Sequence, residues 1–494
     1  MNPLDRIIAS FAPGWALHRA RSRALLNAYE SAKPSDQRKI KGDNSSADRR
    51  NQRAGANLRG IARELDENHD LARGVLNVMV AAIVGARGIG IEPQPRRLDG
   101  SIDTEMATRL RALFIDWCRQ PEVTGEQQWT QLQRLACRGW LRDGEVLAQH
   151  IEGTRPDLDH GTRVPYSLEL LEADLLAFDK TDAGAGIVQG VEKNAWGRPR
   201  AYHLYKQHPG DGMYAALRLE TKRVPAEQVL HLKLVDRVRQ TRGISLFASV
   251  MRRLDDLKDY EDSERVAARI AAAMAVAIKR DPELITSGAD LPTSGSREFV
   301  IAPGMVWDNL APGESVEPIV ASRPNPALEP FVNGQVRRIA AGTGASYSSI
   351  SRNYDGTYSS QRQEMVESWG AYATLQNEFI AQFVMPVWRR FVALALAAGK
   401  LGRLPRGIDL LRLDDADYRG PVMPWIDPVK EVEGAERRIA ARLRSRSQEQ
   451  RAFGEDPADV REQIRQDREQ DAAAGLDPPP PPNPTTQEPA PNPA

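Results

Sequence analysis

The sequence predicts an α+β protein built from more than one packed region. Three observations lead there. At 494 residues the chain is several times longer than one hydrophobic core serves. Apolar residues recur at helical spacing in its first quarter and throughout its second half. Between them, residues 144–233 break into short alternating stretches separated by Gly, Pro and Asp, the texture of β-strands. Apolar residues make up 41% of the chain and charged residues 27%, enough hydrophobic material for sizeable cores.

Residues 1–57 read as a basic, flexible arm. Between positions 19 and 59 there are eleven Lys/Arg against four Asp/Glu, with Gly, Ser and Asn gathered at 42–46. Such a run is either a solvated linker or an arm for DNA or a partner. Helical patterning begins near Leu58, runs through Leu65, Leu71, Val75, Met79 and Ile83, and stops at Gly85, Gly88 and Gly90. Helices over 104–118 and 129–140 follow. Strand candidates at 188–192, 201–205 and 229–234 occupy the β-rich region, and residues 194–199 (NAWGRP) read as a hairpin turn.

From 245 to 279 apolar residues keep helical spacing, at Leu246, Val250, Leu254, Leu257, Val266, Ile270, Met274 and Ile278. One helix of about 50 Å is predicted. Residues 281–326 carry strand candidates at 298–301, 305–307 and 316–320, a small β module. A helix over 327–341 ends at Gly342 and Gly344, and a polar loop follows, 345–359 (ASYSSISRNYDGTYS). A capping box of Ser360 and Gln363 predicts the start of the next long helix, which carries Trp369, Tyr372, Phe379, Phe383 and Phe391 and should kink at Pro386. A charge-dense helical stretch, 429–474, precedes five consecutive prolines and a tail with almost nothing to bury.

Composition excludes several roles. Lys plus Arg and Asp plus Glu each total 67, so no net charge draws the chain to nucleic acid or an anionic membrane. Only Cys118 and Cys137 are present, read as reduced core residues. The N-terminal apolar residues are interrupted by Asp5, Arg6 and Pro13, so no signal-peptide core emerges, and no membrane span is expected. There is no phosphate-binding G-x-x-x-x-G-K-[ST] loop. Residues 85–90 (GARGIG) follow a helix and precede a strand, the reverse of a dinucleotide turn. No cofactor is expected. The seven histidines are scattered without metal-ligand spacing, and His231, alternating with leucines, reads as a hydrogen-bonded structural residue. No G-x-S-x-G elbow occurs, and the serines at 346–351 have no histidine nearby. Catalytic and metal-binding residues are therefore expected to be absent.

Several segments resemble one family. They are Tyr29; Ser46, Ala47 and Asp48; residues 62–65 (AREL) with Asn68; Val84 and Gly85; residues 224–232 (VPAEQVLHL); and Thr241, Arg242 and Gly243. The most specific is 339–354 (IAAGTGASYSSISRNY), followed by Glu367, Ser368 and Trp369. Together they resemble the lambda-like family of phage portal proteins. The resemblance implies a portal fold: a mixed α/β wing over 58–242, a first stem helix over 243–280, a β-containing clip over 281–326 and a second stem helix over 327–342. A tunnel loop over 343–359, a kinked tunnel helix over 360–398, and a wing return with helical crown over 399–475 follow. The proline-rich tail, 476–494, has no counterpart.

The resemblance further implies a virion protein at the capsid portal vertex, assembled in the host cytoplasm as a dodecameric ring. Double-stranded DNA passes through it during packaging and ejection. Its partners would be the large terminase subunit, the head-tail adaptor, and the major capsid and scaffolding proteins, with no membrane. Tyr347, Ser348, Ser351, Arg352, Asn353 and Tyr354 are the candidate channel residues; a polar loop with one arginine touches a sliding backbone weakly. Packing of that loop between subunits is the competing reading. The alternatives for the whole chain are another virion connector or minor head protein, or an enzyme that processes nucleic acid.

Overall fold

The computed structural model describes residues 14–15, 43–211, 220–273, 276–280, 314–318, 325–423 and 428–475. The chain divides into a unit of residues 1–49 and a unit of residues 50–494. In the first, the Ser46 hydroxyl accepts the Arg49 amide at 3.2 Å as a helix begins.

Helix α1 (Ala47–Asn68) starts well before Leu58, where periodicity predicted. The difference has a polar cause. Asn51 is buried and its Nδ2 donates to the carbonyls of Arg242 and Gly243, at 3.2 and 3.4 Å. A side chain at Gly55 would meet Asn51 and the Phe178 ring. This part of the helix docks without large apolar residues, so hydrophobic spacing carries no trace of it.

Helix α2 (Asp70–Ile83) follows, with Val75, Leu76, Met79 and Ile83 inward. It ends at Val84, and Gly85 takes φ 73°, a conformation glycine reaches without strain. Strand β1 (Gly90–Pro93) comes next, so helix precedes strand at GARGIG as the sequence indicated. Helix α3 (Thr104–Trp117) is capped by the Asp103 side chain, which accepts the Met106 amide. Helix α4 (Trp129–Asp143) opens with a Gln128/Gln131 capping box and closes at Gly144, φ 84°.

The β-rich region resolves into two antiparallel sheets. Strands β2 (Glu145–Glu152), β3 (Tyr166–Leu171) and β8 (Val229–Lys233) form one, in the order β3-β2-β8. Strands β4 (Ile187–Val188), β5 (Val191–Lys193), β6 (Pro199–Tyr205) and β7 (Thr221–Pro225) form the other in sequence order. NAWGRP joins β5 to β6 as a hairpin. A small second core joins the two sheets, with Leu147, Leu171 and Val229 from the first and Val191, Tyr202, Leu204 and Val224 from the second.

The predicted single helix over 245–279 is corrected. A 3-10 turn (Leu246–Ser249) capped by Ser245 leads into helix α5 (Met251–Ala273), and strand β9 (Val276–Arg280) follows. Val276 and Ile278 fit a two-residue alternation as well as a helical one. They pair antiparallel with strand β10 (Glu314–Pro318), Ile278 opposite Val316, and that long-range pairing decides. The strand candidates at 298–301 and 305–307 lie outside the described residues, as do most of the predicted clip, the tail and most of the arm.

Helix α6 (Leu328–Thr343) packs antiparallel to α5, with Val336 and Ile339 buried. A short helix α7 (Tyr347–Ser351) interrupts the predicted loop. The long helix then runs as α8 (Tyr358–Phe379), a π-helical turn (Ile380–Val384) and α9 (Met385–Ala397). Its cap is Thr357, whose hydroxyl accepts the Ser360 amide at 3.3 Å, and not the Ser360/Gln363 box; Gln363 donates to Glu367 instead. The π turn lies directly before Pro386, whose missing N–H and ring bulk prevent a regular α register there.

The run 359–397 is long and apolar enough to cross a membrane by length and composition, but half of its most apolar window is buried in the protein. It is the rod on which the main core assembles. Phe383 stacks on Trp129, Trp388 and Phe391 meet Phe114 edge-on at 5.2 Å, and Trp117 stacks on Tyr166 at 5.3 Å. Strand β11 (Ala416–Arg419) returns to pair with β1. The predicted 429–474 stretch is three helices, α10 (Pro428–Ala440), α11 (Arg446–Ala452) and α12 (Pro457–Ala474).

Candidate functional site

The segment 343–359 is built outward from the end of α6. Gly344 closes that helix in the left-handed region, φ 76°, donating its amide to Ala340. Ser346 then caps α7, and its hydroxyl donates to Glu364 Oε1 at 2.6 Å. The same oxygen accepts the Ser348 amide at 2.9 Å, while the Ser346 amide donates to the Tyr372 hydroxyl at 2.8 Å. Burial raises the Tyr372 phenol above its ordinary range, which keeps it neutral. Ala345 and Ile350 reach the core. The segment is thus clamped onto α8 by Glu364, which the sequence reading did not single out, and by Tyr372, which it placed only among the apolar residues of the long helix. A carboxylate and a phenol eighteen and twenty-six positions from Ser346 leave no local signature.

The clamp sorts the six candidate residues. Ser348 is buried; Tyr347, Ser351 and Asn353 are half-buried; only Arg352 and Tyr354 stand exposed, Tyr354 at 56%. The Tyr347 ring lies under the Arg337 guanidinium at 5.0 Å. Arg352 takes φ 57°, ending α7 in a left-handed conformation that aims its side chain outward. The Ser351 hydroxyl accepts the Asn353 amide, and Asn353 Oδ1 accepts the Asp355 amide, shaping the turn that follows.

A second feature holds the chain where it leaves the β region for α5. Arg242 and Glu145 are both fully buried. Arg242 Nε donates to Glu145 Oε1 at 2.8 Å, and its remaining N–H groups donate to the carbonyls of Ala173, Leu176 and Gln189. Glu145 Oε2 accepts the Gly243 amide and His231 Nε2, each at 2.9 Å. Arg59 reaches the same carboxylate at 3.4 Å, and both guanidinium groups lie over the Phe178 ring. Burial alone would raise the Glu145 carboxyl, but Arg242 and His231 outweigh it and hold it well below the usual carboxylate range. Burial keeps His231 below its ordinary value despite Glu145. A side chain at Gly243 would overlap the Gly144 carbonyl, so the two backbones cross in contact.

Among the described residues, Glu172, Asp174 and His208 lie close enough for one metal ion. The sequence reading missed this grouping, since His208 comes from a different strand connection. Arg63 pairs with both carboxylates and Arg59 with Asp174, so two guanidinium groups already occupy the carboxylates. Burial pushes both cysteine thiols up, Cys137 completely enclosed, which disfavours thiolate chemistry.

A family model described as "Phage portal protein, lambda family" matches residues 33–376. The chain belongs to that family. Its function is therefore that of a phage portal. The chain is 26% identical over 421 residues to the probable portal protein of Halomonas phage phiHAP-1, covering 83% of this chain and 79% of that one. It is 27% identical over 267 residues to portal protein B of Escherichia phage lambda, about half of each chain. Among solved structures it is similar to a chain in the neck of a native GTA particle computed with C12 symmetry. That likeness has a TM-score of 0.44 and 15% identity, over 82% of this chain and 94% of the other. The family match spans the Arg242–Glu145 crossing, α5, α6, α7 and most of α8.

Proposed function

We propose that the portal chain forms a closed ring of about a dozen copies at one capsid vertex, with a central channel for double-stranded DNA. The observation that carries this reading is the continuity of the family match from the β region through the segment that presents Arg352 and Tyr354. In this reading residues 58–242 are the wing, the α5–α6 pair the stem, 281–326 the clip, 343–359 the tunnel loop, 360–398 the tunnel helix and 399–475 the wing return and crown. The clip docks the large terminase subunit during packaging and the head-tail adaptor afterwards, and the outer surface meets capsid and scaffolding proteins. The role is structural, the motor partner supplying the energy.

The physical chemistry suits sliding. Every phosphate paired strongly by Lys or Arg would add a binding step and a steep salt dependence. One exposed arginine in the 343–359 segment of each copy, in a chain with equal acidic and basic totals, positions the backbone without holding it. The test is the mass and rotational symmetry of the full-length protein, by native mass spectrometry with electron-microscopic class averages. A ring of about twelve with a central hole is expected; a stable monomer or dimer at high concentration would overturn the reading. In assembled heads, Arg352→Ala should leave the ring intact and lower the fraction of particles that retain DNA. Unchanged retention would remove Arg352 from the channel.

A further inference from the structure

The antiparallel pair α5–α6 has two solvent faces of opposite sign, and this supplies a partner for each. Within one chain the pair is held by Arg253 donating to Gln335 at 2.5 Å, Tyr260 on Phe331 at 4.7 Å, and Asn325 reaching Glu264 at 3.4 Å. Near its top, Gly342 lies against Val250. These contacts fix which residues point away. On α5 one exposed side carries Asp255, Asp259 and Ser263, with Val266 half exposed, and Arg252 and Asp256 border the groove that Phe331 and Gln335 line from α6. Lys258, Arg265 and Arg269 are exposed as well, Lys258 donating to the Asn68 carbonyl and Arg265 pairing with Asp262. On α6 they are Arg337, Arg338 and Ala341, with Phe331 half exposed, and no carboxylate occurs from 331 to 341. Among the described residues, Asp255, Asp256, Asp259 and Arg338 make no ion pair, and Arg337 is engaged by the Tyr347 ring alone.

We propose that the basic face of α6 in one copy docks on the acidic face of α5 in the next copy. The contact is heterologous, so each copy uses both faces once, and repetition of one rotation closes a ring. This deepens the proposed ring by naming the surfaces that close it. The intrachain contacts put Arg338 level with Arg252, and Asp255 and Asp256 about one helical turn of 5.4 Å further along α5. An arginine side chain spans that offset. Gly334 and Ala341 keep the α6 face low, so the helices approach closely, and Val266 and Phe331 add apolar contact area. Two copies meeting through like faces would instead set three aspartates on three aspartates, or two arginines on two arginines. Charge therefore selects the head-to-tail order over a two-fold dimer.

The experiment uses full-length protein and two charge-reversed variants, Asp256→Arg/Asp259→Arg and Arg337→Glu/Arg338→Glu. Wild type should form rings whose threshold concentration rises with salt. Each variant alone should need at least about tenfold more protein to assemble, since every interface then opposes like charges. Mixed one to one, the two variants should form rings again. An alternating order restores acid against base at every contact, and native mass spectrometry should find equal numbers of each chain. Assembly of both variants at the wild-type concentration overturns the seam and leaves the portal ring standing. So does failure of the mixture while both variants keep wild-type circular dichroism and hydrogen-exchange protection. Wild type that forms no ring overturns the ring itself.

Discussion

Replacing Arg242 by methionine isolates the crossing between the β region and α5. The substitution keeps approximate length and removes the charge and every donor. The carbonyls of Leu176 and Gln189 lose the guanidinium donor while that of Ala173 keeps the Leu176 amide, and a buried acceptor left unpaired costs about 1–3 kcal/mol. Glu145 loses its principal cation but keeps Arg59, His231 and the Gly243 amide. Removing one partner of a buried pair typically costs about 3–5 kcal/mol; with those remaining partners, a loss near 3 kcal/mol is expected. A chain of several packed regions is not expected to unfold in one step, so the reading should be local. Native-state hydrogen exchange of the amides in β2 and β4–β7 should speed up by about a hundredfold, at 1.4 kcal/mol per factor of ten. The double variant Arg242→Met/Glu145→Leu should recover part of this, because an apolar pair replaces an orphaned carboxylate. Protection within about threefold of wild type in the single variant would refute the claim that this pair fastens the two regions.

Other expectations follow from the same contacts. Gly342→Ala should destabilise the α5–α6 pair by about 1–3 kcal/mol, since its Cβ would meet Val250 at 2.4 Å; Val250→Ala in the same chain should restore the thermal midpoint. Glu364→Ala removes the acceptor of Ser346 and Ser348, and limited proteolysis should then cut within 345–356 faster while ring mass is unchanged. Stability should fall on acidification below about pH 6.5. Burial, aided by Arg390, holds His150 down at about 4, and burial also depresses His231, so the unfolded chain takes up protons that the folded chain refuses. Each such proton contributes a slope of about 1.4 kcal/mol per pH unit, present in full above the unfolded value and lost between it and the folded one. Glu145, depressed in the folded state, adds its loss below about pH 4.3. His150→Gln should flatten the thermal-midpoint profile between pH 6.5 and 4; an unchanged profile would show that His150 titrates normally.

The elements that sequence patterning located are those whose apolar residues meet a large core. Phe379, Phe383, Trp388 and Phe391 repeat at helical spacing because one side of the rod is buried along its length, and the β5–β6 hairpin announces itself through a turn of Asn and Gly. What stayed hidden depends on distant partners. The first turns of α1 dock through Asn51, a polar residue whose acceptors lie 191 and 192 positions away. Strand β9 has a pattern that also suits a helix until β10 supplies its ladder. The six candidate residues, which the family resemblance marks, lie in a polar stretch, and that polarity has two origins which composition cannot separate. Ser346 and Ser348 spend their hydrogen bonds on Glu364, whereas Arg352 and Tyr354 face solvent. A serine-rich word reads alike whether its hydroxyls cap a helix or line a surface.

The two braces also bear on how the α5–α6 pair communicates with the rest of the chain. It is entered from β8 through the Arg242–Glu145 crossing and left through α7, which Glu364 and Tyr372 tie to α8. Helix α8 continues through the π turn into α9, whose Trp388 and Phe391 sit among the same aromatic rings that Trp117 and Tyr166 join to the β3-β2-β8 sheet. Both exits of the pair therefore end on one core, one through buried charge and one through aromatic packing. In the proposed ring, a sideways push on α5–α6 from a neighbouring copy would meet resistance at both ends, since close-packed cores transmit such strain instead of absorbing it. The π turn is the exception along this path, being the one stretch of the long helix out of regular register. Bending between the half that carries α7 and the half buried in the core is cheapest there.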